Sequence, residues 1–406
     1  MINKKTIEKL ETPFYVINYS VLEKNYKELK KALEDNWNNY IIGYSYKTNS
    51  LPWIIQFFKS NNCYSEVVSK DEYELGKLLK IDKDRFIYNG PIKDKESFLD
   101  ALKNGCYLNI DSQRELDWLC SLKENYKVGL RVNFDLEKYC PNQSQCGDEG
   151  GRFGFCYENK SFEKALKQLK DNNMKLSGLH LHVSSKTRGL DVYKTISEIA
   201  VKIIEEYSLN LDYIDIGGGF FGGLPNKPRF NDYIKLVSSI LKRVCDPQRT
   251  KLIVEPGISL VGTAISYFSR VIDIKDTTYN RFVLIDGSRT NMDPLMSKDS
   301  YYHNYIKITD TKRTKKRKQV ICGSTCMEHD RLFVENNFEE LKVGDIVEFN
   351  NVGAYTMCLT PLFITYFPDV YALKNNKLEL IREKWTAKEY IQKTVIGDDK
   401  NECINN

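Results

Sequence analysis

The chain has 406 residues, 41% of them hydrophobic, with 60 basic and 55 acidic side chains and a net charge of +5. It is long enough for one large domain and a smaller one, and so small a charge excess gives no reason to expect a nucleic-acid partner. No run is apolar for long enough to span a membrane; the opening MINKKTIEKLETPF has no apolar signal core; and the 11 cysteines include no C-x-x-C pair, so no metal site is expected and the dispersed thiols suit a reducing cytoplasm.

The segment 12–18 reads as a short strand. Ser20 and Glu23 then have capping-box spacing at the start of a helix in which Leu22, Tyr26, Leu29 and Leu33 share a face. Eight short apolar strands follow, ending near Tyr46, Val68, Tyr88, Ile110, Val132, Val183, Ile216 and Val254. Helical patterns separate them at 51–60, 70–79, 93–103, 112–122, 161–172, 190–207 and 230–244. Alternating strand and helix predicts parallel βα units. Eight of them predict a closed (β/α)8 TIM-like barrel, with its chemistry at the C-terminal strand ends, in preference to a doubly wound open sheet. Beyond about residue 265 the strands at 282–285, 319–322 and 346–349 follow one another without long helices, which predicts a separate β domain. The expected division is an N-terminal strand (1–19) joining the β domain, a barrel (20–265), a C-terminal β domain (266–390) and a disordered tail (391–406). The basic run 312–318 reads as a solvated hairpin loop.

Polar residues gather at the predicted strand ends. Lys47 closes the first strand in YSYKTN. A lone lysine is most often a surface group, but a partly desolvated amine at a barrel mouth has a lowered pKa and suits a Schiff base. In LSGLHLHVSS, His180, His182 and Ser184 alternate away from the apolar residues. With no acid nearby in sequence, a core or stacking role is expected of these histidines rather than metal binding. IDIGGGFFGG contains G-x-G-x-x-G through Gly217, Gly219 and Gly222. It lacks the later strand-end acid of a dinucleotide site, so the glycines read as bare backbone cradling a phosphate. KLIVEPG ends the eighth strand at Glu255, a carboxylate that needs a cationic or protonated partner there; a pyridinium nitrogen would serve.

The ordered set TPFYV, YSYKTN, EVVSKDE, IYNGPIK, NIDSQREL, GLRVN, GRFGF, GLHLHVSS, DIGGGF, VEPG, GSTC and GAYT resembles the fold-type III pyridoxal-phosphate decarboxylases, the group that acts on diaminopimelate, ornithine and arginine. The resemblance implies pyridoxal 5'-phosphate as cofactor, held covalently by Lys47. Glu255 would keep the pyridine nitrogen protonated and so strengthen the ring as an electron sink. His182 would stack on the ring, and Ser185, Gly217, Gly218, Gly219 and Tyr355 would bind the phosphate. Glu66 and Arg131 match polar positions near the cofactor. Cys326 would reach in from the second subunit of a homodimer whose active sites lie at the subunit interface, and would control protonation of the product. Glu72 also falls in a family segment, but its spacing from Ser69 reads as a capping box.

Three departures bear on substrate. The family reads EPGR where this chain has EPGI, so Ile258 replaces an arginine. Ser184–Ser185 stands for the usual Gly-Ser, and Met327 for the usual acid after the cysteine, with Glu328 one position on. Arg289 and Glu328 are the substrate-binding candidates, Arg289 as a replacement cation. These changes favour a diamino acid or amino-acid conjugate of a specialised pathway as substrate, with meso-diaminopimelate decarboxylation in lysine biosynthesis as the alternative. Amino-acid racemisation, or cofactor binding without catalysis, are the competing functions.

Overall fold

The structure is a computed structural model that describes residues 4–122, 124–309 and 311–395. Its contacts divide the chain into one unit of Glu23–Val261 and a second made of Met1–Leu22 with Gly262–Asn406.

After β1 (Phe14–Asn18), the first unit holds β2 (Tyr40–Ser45), β3 (Tyr64–Val67), β4 (Phe86–Tyr88), β5 (Tyr107–Ile110), β6 (Val128–Asn133), the two-residue β7 (Phe155–Cys156), β8 (Leu176–His180), β9 (Tyr213–Asp215) and β10 (Lys251–Val254). Each of β2 to β6 pairs in parallel with the next, β6 pairs with β8, and β8–β9–β10 returns to β2. The eight-stranded ring is closed, as the strand count predicts, and β7 extends only from β6. Parallel pairing requires a crossover between strands. The intervening helices supply it, among them Pro52–Ser60, Lys70–Leu78, Leu190–Glu206 and Phe230–Leu241. Inside the ring, Ile41, Ile87, Tyr213 and Ile253 form a buried plug. Tyr213 needs a strand without a side chain opposite it: a Cβ at Gly178 would lie 2.2 Å from the Tyr213 ring. Large and small residues thus share the narrow interior of a small barrel.

The helix after β1 spans Tyr19–Asn36. Its N-cap is Asn18, whose Oδ1 accepts from Val21 N at 3.2 Å. Ser20, the expected cap, lies inside the first turn. Both residue types cap well, and the cap falls on Asn18 because β1 runs on to that residue. At Ser69 half of the expected capping box forms: the serine accepts from Glu72 N at 3.2 Å, but Glu72 Oε2 accepts from Val68 N at 2.8 Å instead of from the cap's own amide.

The second unit is a mixed sheet. Its strands are β1, β11 (Ile265–Asp276), β12 (Arg281–Ile285), β13 (His303–Ile306), β14 (Lys315–Cys322), β15 (Arg331–Glu339), β16 (Ile346–Phe349), β17 (Asp369–Lys374) and β18 (Lys377–Arg382). The order is β15-β14-β12-β11-β1-β17-β18, with β16 on β11 and β13 on β16. The N-terminal strand is therefore interior to the sheet, antiparallel to β11 and parallel to β17. Phe14, Val16, Phe268, Ile346 and Leu373 cluster about it with Ile7.

The basic run differs from its expectation. Lys315–Lys318 begin β14 and pair with β15, placing Lys315 opposite Glu339, while Arg313 is buried against Asp345 at 2.5 Å. Lys315 opposite Glu339 is a favourable cross-strand pair, so 315–318 are largely exposed strand, while 312–314 precede it outside the sheet. Of the expected tail, 396–406 lie outside the described residues, and 391–395 follow the helix Ala387–Tyr390 as a turn.

Candidate active site

The C-terminal ends of the barrel strands place a set of polar groups in contact. Lys47 follows β2 in a single 3-10 turn, Tyr46–Thr48. Its amine lies 3.0 and 3.2 Å from the two carboxylate oxygens of Glu66, at the end of β3. Glu66 is fully buried and also accepts from Ser45 Oγ at 2.5 Å and from Asn89 Nδ2 at 3.0 Å. Charge-assisted bonds of this kind are about twice as strong as neutral ones, and together they fix the carboxylate under the amine.

Asn89, one residue past β4, bridges to the far side. The same Nδ2 lies 2.5 Å from Glu255 Oε1, while Asn89 Oδ1 accepts from Asn109 Nδ2 at 2.8 Å. Glu255 follows β10 and is 4% exposed. Around it stand His180, with Nε2 3.4 Å from Oε2, and Asp215, which pairs in register with His180 across β8 and β9. Burial pushes Asp215 well above the usual carboxylate range, and the neighbouring Glu255 pushes it further. Burial also opposes the charge of Glu255, but His180, the hydrogen bond with Asp215 and Lys47 outweigh it and hold Glu255 ionised, below that range. Asp215 and Glu255 are thus pushed in opposite directions within one buried pair. The pair also corrects the reasoning that His180 has no acid nearby: parallel register brings two. The ligand atoms of His180, Asp215 and Glu255 lie within 4.8 Å of one another.

His182 lies beyond β8 with its ring nearly parallel to that of His180, at 7° and 6.4 Å between centroids. Burial first, then the positive charges of Lys47 and Arg131, lower its pKa to about 3. A neutral, flat imidazole is what a stacking role requires. Arg131 donates to Asp111 Oδ2 at 3.0 Å and to the His182 carbonyl at 3.3 Å. It therefore supports the histidine segment rather than standing as a free cation. The IYNGPIK segment also serves packing. Lys93 is fully buried against Glu115 at 3.0 Å and donates to the carbonyls of Gly90 and Asn109; breaking such a pair costs about 3–5 kcal/mol.

The glycine run follows β9. Gly217 and Gly219 have φ of +68° and +93°. A Cβ on Gly217 would lie 2.4 Å from the His182 ring, and one on Gly218 would lie 2.0 Å from the Glu255 carbonyl. The backbone therefore reaches the mouth only because side chains are missing; of its amides, that of Gly217 donates to Asp215 Oδ1 at 2.9 Å. With an amine at one side, an ionised carboxylate opposite and a flat neutral imidazole between them in sequence, the residues fit pyridoxal phosphate.

The remaining candidates belong to the second unit. Cys326 is exposed, on a loop organised by buried Asp330. The latter accepts from Thr325 N and Oγ1 at 3.0 and 2.6 Å and from Arg289 N at 2.8 Å. Tyr355 is 41% exposed with φ +55°, in a turn held by Thr356 Oγ1 donating to the Val352 carbonyl at 2.6 Å. Arg289, the candidate replacement cation, is paired within its own unit. Its Nε and Nη2 both bond Asp293 Oδ2, at 3.1 and 3.0 Å, so its charge is matched within its own unit. Glu328 is fully exposed beside Arg331 at 3.2 Å. Sequence reading missed Asn89, Asn109, Asp215 and Asp330. The alternation of IDIGGG carried a signal for Asp215, since an acid inside so apolar a strand must be buried and partnered.

A closed parallel barrel bearing this strand-end lysine, carboxylate and glycine cradle defines a pyridoxal-phosphate enzyme of fold type III. Residues 20–262 match the family of the pyridoxal-dependent decarboxylases, pyridoxal binding domain. The chain is 26% identical over 370 residues to the diaminopimelate decarboxylase of Aquifex aeolicus, covering 88% of this chain and 85% of that one. It is 26% identical over 412 residues to the enzyme of the same name from Methanocaldococcus jannaschii, covering 96% and 92%. The crystal structure of the M. jannaschii diaminopimelate decarboxylase superimposes with a TM-score of 0.83 at 24% identity, covering 97% of this chain and 94% of that one. The chain belongs to the fold-type III pyridoxal-phosphate-dependent decarboxylases: it is a carboxy-lyase acting on an amino acid, with pyridoxal 5'-phosphate as its cofactor.

Proposed function

We propose that this enzyme removes one α-carboxylate of meso-diaminopimelate, the reaction named for the relatives above. The observation that carries the site assignment is the Lys47 amine set 3.0 Å from a buried carboxylate, with an ionised Glu255 across the Asn89 bridge. When bound, pyridoxal phosphate supplies an electron sink for the pair left behind as the carboxylate departs as carbon dioxide. Lys47 would be the covalent anchor of the cofactor, and Glu66, 3.0 and 3.2 Å from its amine, would orient that amine. Glu255 would hold the ring nitrogen and favour its protonated form. His182 would cover the ring face, Arg131 braces His182 through its carbonyl, and Ser185, Gly217, Gly218, Gly219 and Tyr355 would bind the phosphate. Cys326 would act from a second copy of the chain in a homodimer, delivering the proton that replaces the carboxylate. The free thiols of the described residues support a cytoplasmic setting.

A second reading is favoured by one observation. Ile258 offers no cation and Arg289 is already matched by Asp293, which suits another diamino acid or a conjugate. Borohydride reduction of the holoenzyme followed by peptide mapping should place the phosphopyridoxyl label on Lys47; a label elsewhere would overturn the site. Carbon dioxide release from meso-diaminopimelate, compared with lysine, ornithine, arginine and conjugated diamino acids, then decides the substrate. No release from meso-diaminopimelate alongside release from another would establish the second reading.

A further inference from the structure

Beyond β8 the chain turns sharply at Arg188, and this turn is pinned at both ends. Ser185 Oγ accepts from Arg188 N at 3.2 Å, and the Tyr233 hydroxyl donates to the Arg188 carbonyl at 2.7 Å. The residue sits at φ +52°, a conformation that costs a side-chain-bearing residue about 1 kcal/mol or more. The guanidinium carbon lies 4.4 Å from the centre of the Phe221 ring, and the Lys227 amine lies 5.0 Å from the same centre.

Phe221 is buried and directly continues the glycine run. Two further contacts tie this cluster to the cradle. Tyr193 donates to the Gly218 carbonyl at 2.6 Å. Burial pushes the Tyr193 hydroxyl well up and Tyr233 adds to this, while the positive charge of Arg188 opposes both, so the guanidinium lies within electrostatic reach of that hydroxyl. In addition, a Cβ on Gly222 would fall 1.9 Å from the Ser259 carbonyl, so the loop packs against the segment that starts with Ile258.

The charges at this mouth are unevenly matched. Lys47 is paired with Glu66 and Arg131 with Asp111. Among the described residues, neither Arg188 nor Lys227 has a carboxylate within ion-pair distance. Two like charges brought to one ring repel, and the ring's attraction, about 0.5–1 kcal/mol at exposed sites, does little to offset that. An anion between or beside them would.

We infer that Arg188, with Lys227 beside it on the Phe221 ring, is the cationic anion-binding group of the barrel mouth, taking the phosphate of the cofactor or a carboxylate of the substrate. It supplies the charge that the glycine backbone lacks and that Ile258 does not provide. The inference rests on the proposed reading of the glycine run as the phosphate cradle.

The test removes the cofactor with hydroxylamine and titrates it back by absorbance, using the parent enzyme, Arg188→Gln, Arg188→Lys and Lys227→Ala, each with its thermal melt. Pyridoxal, which lacks the phosphate, is titrated in parallel. If the ligand is the phosphate, Arg188→Gln weakens pyridoxal phosphate by about tenfold or more, leaves pyridoxal unchanged, and Arg188→Lys recovers part of the loss. If it is a substrate carboxylate, both titrations match the parent, while KM rises by about tenfold with kcat held. Unchanged cofactor affinity and unchanged KM in a folded Arg188→Gln overturn the inference. Failure of the parent enzyme to discriminate pyridoxal phosphate from pyridoxal would instead refute the phosphate cradle itself.

Discussion

Asn89 and Glu255 are joined by a 2.5 Å hydrogen bond that crosses from the end of β4 to the end of β10. The same amide nitrogen donates to Glu66 at 3.0 Å. An amide nitrogen can only donate, so both acids meet it as acceptors, and at Glu255 it adds to the groups that hold the carboxylate ionised. Asn89→Asp would set a third carboxylate between them. It should weaken cofactor binding by at least about tenfold, corresponding to one lost charge-assisted bond, and shift the pH dependence of the cofactor absorbance. Asn89→Ala should weaken binding without that pH shift. A spectrum and affinity unchanged in Asn89→Asp would show that the bridge has no part in the site.

Gly218→Ala tests the cradle. The new methyl would stand 2.0 Å from the Glu255 carbonyl, a backbone atom that cannot swing aside. Loss of measurable cofactor uptake is expected, with a lowered melting temperature. Gly105→Ala is the contrast. Its φ is +76° with nothing within 4 Å of a Cβ, so it should cost about 1–2 kcal/mol of stability and leave cofactor titration as in the parent.

Glu72 gives a pH signature. Burial raises its pKa to about 7; the Val68 amide opposes this, Glu66 adds to it, and Lys47 opposes it. A carboxyl held above its unfolded value binds more protons folded than unfolded, so its contribution to stability is full below about pH 4.5 and is lost as pH rises towards 7. Glu72→Gln removes that loss. The melting temperature of the variant should equal the parent's near pH 4.5, then exceed it increasingly up to a plateau above pH 7, where the difference is at most about 3 kcal/mol. A gap that is constant with pH would contradict the assignment.

Asp330 organises the Cys326 loop from beneath. Asp330→Ala strands the amides of Thr325 and Arg289 and should cost at least about 3 kcal/mol, read from chemical denaturation. Cys326→Ala loses only an exposed thiol and should stay within about 0.5 kcal/mol of the parent. It should retain the cofactor band and lose clean decarboxylation. Unaltered products from Cys326→Ala would remove the thiol from the proton-delivery step.

The barrel was legible because its strands and helices follow two distinct periodicities. The predicted helix at 190–207 is observed as Leu190–Glu206, and the predicted helix at 51–60 as Pro52–Ser60. Lys47, Glu255 and the glycines were also legible, as polar or bare residues closing apolar strands. What escaped was whatever depends on lateral register. Asp215 and His180 are 35 positions apart in sequence and paired in space, and Asn89 acquires its role only because β4 and β10 end on the same rim. The ordered strand at Lys315–Lys318 escaped for a related reason: its acidic counterpart lies on β15, and charge alone reads as solvation.

β1 is an interior strand whose neighbours are encoded far downstream. Synthesis at about 5–20 residues per second delivers β17 roughly 350 residues, and so on the order of 20–70 s, after Asn18 leaves the ribosome. Until β11 emerges Phe14 and Val16 have no partner strand, and from then until β17 follows one edge of β1 stays unpaired, while the barrel can already be closing behind them. The nascent chain thus carries an apolar ribbon with first two open edges and then one, the kind of surface that chaperones shield. A split enzyme divided within the barrel would need the N-terminal half to donate this ribbon across the break.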